Sequence, residues 1–296
     1  MSDRRILTIA PTGGMSMKSA NPALPTQPQE IADVVVACAR AGAAVVAVHA
    51  RRPDDQATCN PDIYSDINAR IREHSDIIIN NSTGGGNSGD MLIERPDGLF
   101  ESDFEERLRG CDGVGAEMCT FDGVTVVDTV NPEREVVVIT SPTRCETLVK
   151  RMTDKGIKPE WEVFSPEHIL QDATRLIQKG YDKPPYYFNL VLGGDKGFQG
   201  AMPYSHDVLD FMVKCLPPQS IWCISGIGPA QLPATTQALL LGGHVRVGLE
   251  DNHYYAKGVK ADNLMLVERQ VRIMTELGIE PMSAAESREL LGLKAL

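Results

Sequence analysis

Eight short runs rich in apolar and β-branched residues, with helical patterns between most of them, constrain the fold of this chain more than any other feature. They are ILTIA at 6–10, AVVAVHA at 44–50, IIINNS at 77–82, VGAEM at 114–118, KPEWEVF at 158–164, YYFNLVL at 186–192, SIWCIS at 220–225 and HVRVG at 244–248. Runs that recur every roughly 25–40 residues around helical segments signal repeated βα units and a parallel sheet. Two helices carry their own punctuation: PQEIADVVVACARAG opens at Pro28 and closes at Gly42, and SPEHILQDATRLIQKG runs from a Ser165 cap to Gly180. No linker rich in Pro, Gly or Ser divides the units. The expected architecture is therefore a single-domain (β/α)8 barrel over 1–296, with a helical extension from about 282, and a doubly wound open sheet is the competing arrangement. The pattern is least regular in the middle, where 84–107 is polar and Gly-rich and a VTVVDTV run adds a further apolar segment.

The formal charge of −11, with no basic run, argues against general nucleic-acid or anionic-membrane binding. No run approaches the roughly 18–20 apolar residues that cross a bilayer, and MSDRRILTIAP has too short an apolar stretch for a signal peptide. The expected location is the cytoplasm. Cys38, Cys59, Cys111, Cys119, Cys145, Cys215 and Cys223 contain no C-x-x-C pair, which fits reduced thiols.

In a barrel, functional groups sit at the C-terminal ends of strands and in the loops that follow. Three segments qualify on that rule. In VHARRPDD, His49 ends an apolar run and is either a metal ligand or base, or a satisfied core histidine, with Arg51 on the same face. NNSTGGG combines small hydroxyls with glycines that let backbone N–H groups approach a ligand, or forms a flexible turn. GGHVRVGLEDN places His244, Arg246, Glu250 and Asp251 at the end of a buried strand, where ionisable groups are costly unless they pair or bind something. An Arg246–Asp251 pair can act as a base tuned by its cation, and Glu250 suits a divalent metal; a purely structural ion-pair network is the alternative. Glu160 and Glu162 share a strand face, so one of them should reach the mouth. GIGPAQLP at 226–233 suits an anion at a helix N-terminus but lacks the full dinucleotide fingerprint, and Lys196 in LGGDKG either meets an anion or lies in a solvated loop. No G-x-S-x-G elbow occurs, so Lewis-acid or acid/base chemistry is favoured over an acyl-enzyme.

Taken in order, APTGG with NPALPTQPQEI, VHARR, NSTGGG, GIKPEWEVF, VLGG, SGIG-x-x-QLP, GGHVRVGLEDN and LVERQVRI resemble the β-keto acid cleavage enzymes over Ile9 to Leu293. The resemblance implies a (β/α)8 barrel, a homotetramer, a divalent metal that is typically zinc, and condensation of a β-keto acid with acetyl-CoA to give acetoacetate and a new CoA ester. It implies His49 and Glu250 as metal ligands, Asp251 and Arg246 as the pair that activates substrate, and Glu162 as an aid near the metal. Ser82 and Thr120, with Gly84 and Gly85 of the glycine loop, would hold the substrate.

The chain departs from that pattern at Ala47, where relatives carry the first histidine of His-x-His, and at Met15, where relatives often place an acid. Losing one of three protein ligands lowers metal affinity or changes its geometry. Three outcomes stay open: a weakened metal site, a metal-free enzyme with Arg246 as electrophile, or a barrel that binds without turnover. A metal-dependent aldolase acting without CoA would use the same enolate logic.

Overall fold

The computed structural model describes residues 3–131 and 134–296. Eight parallel strands close into a barrel, each paired with the next in chain order. They are β1 (Leu7–Ile9), β2 (Val45–Val48), β3 (Ile78–Ser82), β4 (Met118–Asp122), β5 (Lys158–Val163), β6 (Tyr186–Leu192), β7 (Ser220–Gly226) and β8 (His244–Val247). Helices α1 (Pro28–Arg40), α2 (Pro61–His74), α3 (Phe104–Leu108), α4 (Pro142–Asp154), α5 (Thr174–Gln178), α6 (His206–Cys215), α7 (Gln231–Leu240) and α8 (Asn263–Glu276) follow the strands in turn.

Two local expectations are corrected. β4 begins where VGAEM ends, and Val114 is exposed in a turn whose Gly115 takes a φ of +91°. Residue alternation in MCTFD sends Thr120 and Asp122 inward and Phe121 toward Trp161, so the strand carries two polar residues in a row of five that reads as a turn. The hydroxyl of Ser165 caps nothing: it is buried with no hydrogen-bond partner, and His168 Nδ1 instead accepts from the Phe164 N–H at 3.2 Å. The helix there starts at Pro166 and carries a π-helical stretch, His168–Ala173, before α5.

The barrel interior is layered. At the N-terminal end Ile6, Val45, Ile78, Met118, Tyr187 and Cys223 form an apolar layer closed from below by Leu291. Leu291 belongs to α9 (Ala284–Leu291), whose start is fixed by a capping box between Ser283 and Glu286 and whose Arg288 bonds Glu117 and the Asp76 carbonyl. The C-terminal helix is thus the barrel's floor. Leu291→Ala, which removes the plug, should cost about 2–5 kcal/mol in urea unfolding; an unchanged midpoint would show that the floor closes without it.

Above the floor, where many barrels pack branched apolar residues, lies a polar layer. Register places Thr120 beside Glu160 and Ala47 beside Asn80. Asn80 Nδ2 donates to Glu160 Oε2 at 2.6 Å and Thr120 Oγ1 donates to the same oxygen at 3.3 Å.

A separate five-stranded sheet covers one side of the barrel mouth. Its strands are Leu92–Glu94 and Phe100–Ser102 from the loop after β3, Val126–Asp128 and Val136–Val138 from the loop after β4, and Phe198–Gln199 from the loop after β6. The VTVVDTV run belongs here and not to the barrel.

Candidate active site

The turn after β8 sets the site. Gly248, at a φ of +151°, packs so closely on β1 that a Cβ would lie 2.0 Å from the Ala10 carbonyl oxygen. Only glycine allows that approach, and it folds the chain back so that Glu250 and Asp251 face the mouth beside Arg246. Gly14 and the Gly85–Gly86 backbone make a similar contact between the loops after β1 and β3, where a Cβ on Gly14 would sit 1.8 Å from the Gly85 oxygen.

Arg246, 4% exposed, is the hub. Its Nε donates to Asp251 Oδ2 at 3.0 Å and its Nη2 to Oδ1 at 2.8 Å, a two-pronged bond that fixes the carboxylate plane. The guanidinium also donates to Glu250 Oε1 and, at 3.4 Å, to Glu162 Oε2. Glu162 Oε2 further accepts from Asn189 Nδ2 at 2.9 Å, and Ser225 Oγ donates to Asn189 Oδ1 at 2.8 Å, which orients that amide. His49 Nε2 lies 3.3 Å from Glu250 Oε1. Its Nδ1 is 2.9 Å from the Gly85 carbonyl, an oxygen that only accepts, so Nδ1 donates there, while the Nε2 side of the ring lends Glu250 a hydrogen bond and positive charge.

One guanidinium against three carboxylates splits their acidities. Burial pushes Glu250 upward, but Arg246 and His49 outweigh it and hold the carboxyl at about 2. Burial drives Glu162 well above the ordinary 4.5, against Arg246 and with help from Asp122, Glu160 and Glu250. Burial also keeps Asp251 above its usual range although Arg246 pulls the other way. A group whose pKa is raised on folding binds its proton more tightly in the folded state, so stability falls as pH rises above the unfolded value. Glu162→Gln should remove that fall: relative to wild type, the variant's unfolding free energy should grow between pH 5 and 8, and a constant difference across that range would show that Glu162 is ionised throughout.

His49, Ser82, Gly84, Glu162, Arg246, Glu250 and Asp251 all line one cavity of about 970 Å3 at the mouth. Two residues of the expected set do not face it. Thr120 lies in the polar layer below, and Gly85 contributes its carbonyl to His49. Of the acid pair on β5, Glu162 reaches the cavity while Glu160 is wholly buried with one oxygen unpartnered. Arg51 clamps the loop after β1 through the Gly13 and Ser16 carbonyls at 2.8 and 2.7 Å. His244 sits at the opposite end of β8, where its Nδ1 accepts from the Ile6 N–H and burial lowers it to about 4. In GIGPAQLP the Gly228 N–H is already given to the Asp251 carbonyl at 2.7 Å, and Lys196 does not line the cavity.

Asp122 was not foreseen. It ends β4 in the cavity wall with Oδ1 unpartnered, and Arg107, 1% exposed, holds its carbonyl and the Thr83 oxygen. A lone acid after a short strand gives little sequence signal; the buried Asn189 in YYFNLVL gives more, as the one amide in an apolar run.

A three-ligand zinc site would need a donor at position 47. Ala47 faces the interior two residues before His49, and its methyl group offers none. His49 and Glu250 form a two-donor bite, and among the described residues no group of three or more His, Cys, Asp or Glu side chains is placed to hold a metal. The residues present do not fit the three-ligand site that the resemblance implies.

Residues 4–293 match the family model described as beta-keto acid cleavage enzyme. The chain belongs to this family. It is 33% identical to a 3-keto-5-aminohexanoate cleavage enzyme of Fusobacterium nucleatum, covering 99% of this chain and 100% of that protein. It is 32% identical to a 3-oxoadipate:acetyl-CoA acetyltransferase of Cupriavidus necator, covering 100% and 97% respectively. Among solved structures, a binary complex of ObcA with oxaloacetate shares the fold, with a TM-score of 0.71, 22% identity, and coverage of 93% of this chain and 68% of that one. Among family members, then, this one carries Arg246, Glu250 and Asp251 on a barrel whose second strand has a single histidine at its end. No helix among the described residues is long and apolar enough to cross a membrane.

Proposed function

We propose that this protein is a C–C bond-cleaving acyltransferase that converts a β-keto acid and acetyl-CoA into acetoacetate and a new acyl-CoA. The observation that carries the reading is the Arg246–Asp251 pair facing the cavity beside Glu250, Glu162 and His49. Asp251 removes a proton from C2 of the acid, which lies between two carbonyl carbons and is the most acidic C–H of the substrate. The resulting enolate attacks the thioester carbonyl carbon of acetyl-CoA, a C–C bond forms, and CoA leaves as thiolate. That thiolate adds to the original keto carbon, the C2–C3 bond breaks with its electron pair passing to C2, and the proton returns there. Acetoacetate departs with C1 and C2 of the acid, and the remaining acyl group leaves on CoA.

Arg246 and His49, both buried, supply positive charge and a donor beside the developing enolate oxygen, where such preorganised groups act more strongly than in water. Glu162, held toward its neutral form, gives a proton or hydrogen bond to the keto oxygen as charge develops. We assign the electrophile's part to these side chains because the ligand set for zinc is incomplete.

With this reading go a cytoplasmic setting, where a CoA thioester is at hand, and a homotetramer. Phe211 on α6, with Leu240 and Leu241 at the end of α7, is exposed apolar surface that such an assembly would cover.

The test is acetoacetate formation from a panel of β-keto acids with and without acetyl-CoA, with the acyl-CoA product followed in parallel. Turnover that needs acetyl-CoA and yields both products in equal amounts is expected. Cleavage without CoA would make the protein an aldolase, and binding without cleavage would make it a binding barrel.

A further inference from the structure

The cavity has two unlike ends. On one side it is roofed by the five-stranded sheet, in which Val126 pairs with Val138 and Asp128 with Val136 across an antiparallel ladder. Paired residues point to the same side and alternate along each strand, so these four side chains share one face, and that face lines the cavity. Phe164 and Phe198, packed edge to face with centroids 5.9 Å apart, extend the same wall. The single carboxylate on it, Asp128, is 2% exposed and already accepts from Asn87 Nδ2 at 2.7 Å and the Val130 N–H at 2.8 Å. A charged or amino-bearing group brought against this roof would lose its water and find only the Ser102 hydroxyl beside a carboxylate that is already bonded.

The other end is rimmed by Lys257 and Arg269, cations at the mouth of a chain whose net charge is −11. The phosphates of CoA belong at that rim, because the roof offers them valine and phenylalanine side chains, one hydroxyl, an occupied aspartate and no cation. The roof is then left for the part of the keto acid beyond C3.

We infer that the substrate is a β-keto acid with an uncharged apolar tail, an alkyl chain or ring, seated against Val126, Val136 and Val138. The inference rests on the activity proposed above. It also accounts for Met15, a neutral thioether in the cavity lining, which gives an amino group nothing to pair with.

The test compares kcat/KM for 3-oxopentanoate, 3-oxohexanoate, 3-oxooctanoate and 5-amino-3-oxohexanoate at saturating acetyl-CoA, in wild type and in Val138→Phe. Specificity should rise roughly fourfold for each methylene buried against the roof, and the amino acid should fall at least about tenfold below 3-oxohexanoate, having a charge to desolvate. Val138→Phe, which fills part of the tail space, should lower the ratio of 3-oxooctanoate to 3-oxopentanoate. Turnover with a flat series, or with the amino acid preferred, would overturn the inference and leave the acyltransferase reading standing. Absence of turnover with every acid would overturn that reading instead, and calorimetric Kd values for the same four acids would then decide the tail preference: tighter binding with length supports it, and equal or inverted binding sinks it.

Discussion

Asp251→Asn should lower kcat by about 100- to 10,000-fold, the range by which a positioned general base accelerates proton transfer. The amide keeps the shape of the carboxylate and one acceptor for Arg246, so the fold and the cavity should survive. What it loses is the atom that takes the C2 proton. KM for acetyl-CoA should change little, because the CoA phosphates fall to Lys257 and Arg269 at the rim and not to Asp251. The decisive readout is exchange: wild type incubated with the keto acid in heavy water, without acetyl-CoA, should incorporate deuterium at C2 faster than the uncatalysed background, and Asp251→Asn should not. Exchange undiminished in the variant would remove Asp251 from the role of base and shift it to another group at the mouth, with Glu162 and Asp122 the nearest candidates.

Ala47→His should turn the mouth into a zinc site. The new imidazole would stand on the interior face of β2, two residues before His49, and together with Glu250 complete two nitrogens and one oxygen. Even the outer-shell partners of metal ligands are worth about 10- to 100-fold in affinity, so adding a direct ligand should tighten zinc binding by at least about 100-fold. Elemental analysis after dialysis, with a competing chelator to set the scale, reads this directly. Wild type should lose its zinc under conditions in which Ala47→His retains one equivalent, and His49→Ala in the variant background should abolish retention. If wild type holds zinc as tightly as the variant, another donor completes its site and the electrophile assigned to Arg246 and His49 must be shared with the metal.

The barrel was legible because its strands are buried on both faces and so read as apolar runs in a regular rhythm. It failed at β4, where Thr120 and Asp122 point into a polar interior and dilute the pattern. The β8 turn was legible for an energetic reason: four ionisable residues in HVRVGLED cannot be buried idly, and the structure gathers Arg246, Glu250 and Asp251 into one cluster while sending His244 to the floor. Thr120, expected against the substrate on family resemblance, bonds Glu160, and Asp122 two residues later lines the cavity. The roof was not legible at all. Its strands come from three separate loops and pair across long stretches of chain, so no local window contains the sheet, and a run such as VTVVDTV reads only as a surplus strand.

That roof has an evolutionary corollary. Because each of the three loops hydrogen-bonds to another, shortening any one would unzip the others, and loop length is effectively locked. The residues on the inner face carry no such obligation, since a strand's ladder is made by its backbone whatever its side chains. New preferences can therefore arise by point substitutions on a fixed lattice, and a laboratory selection confined to positions 126, 136 and 138 would vary substrate range while leaving Arg246, Glu250 and Asp251 untouched.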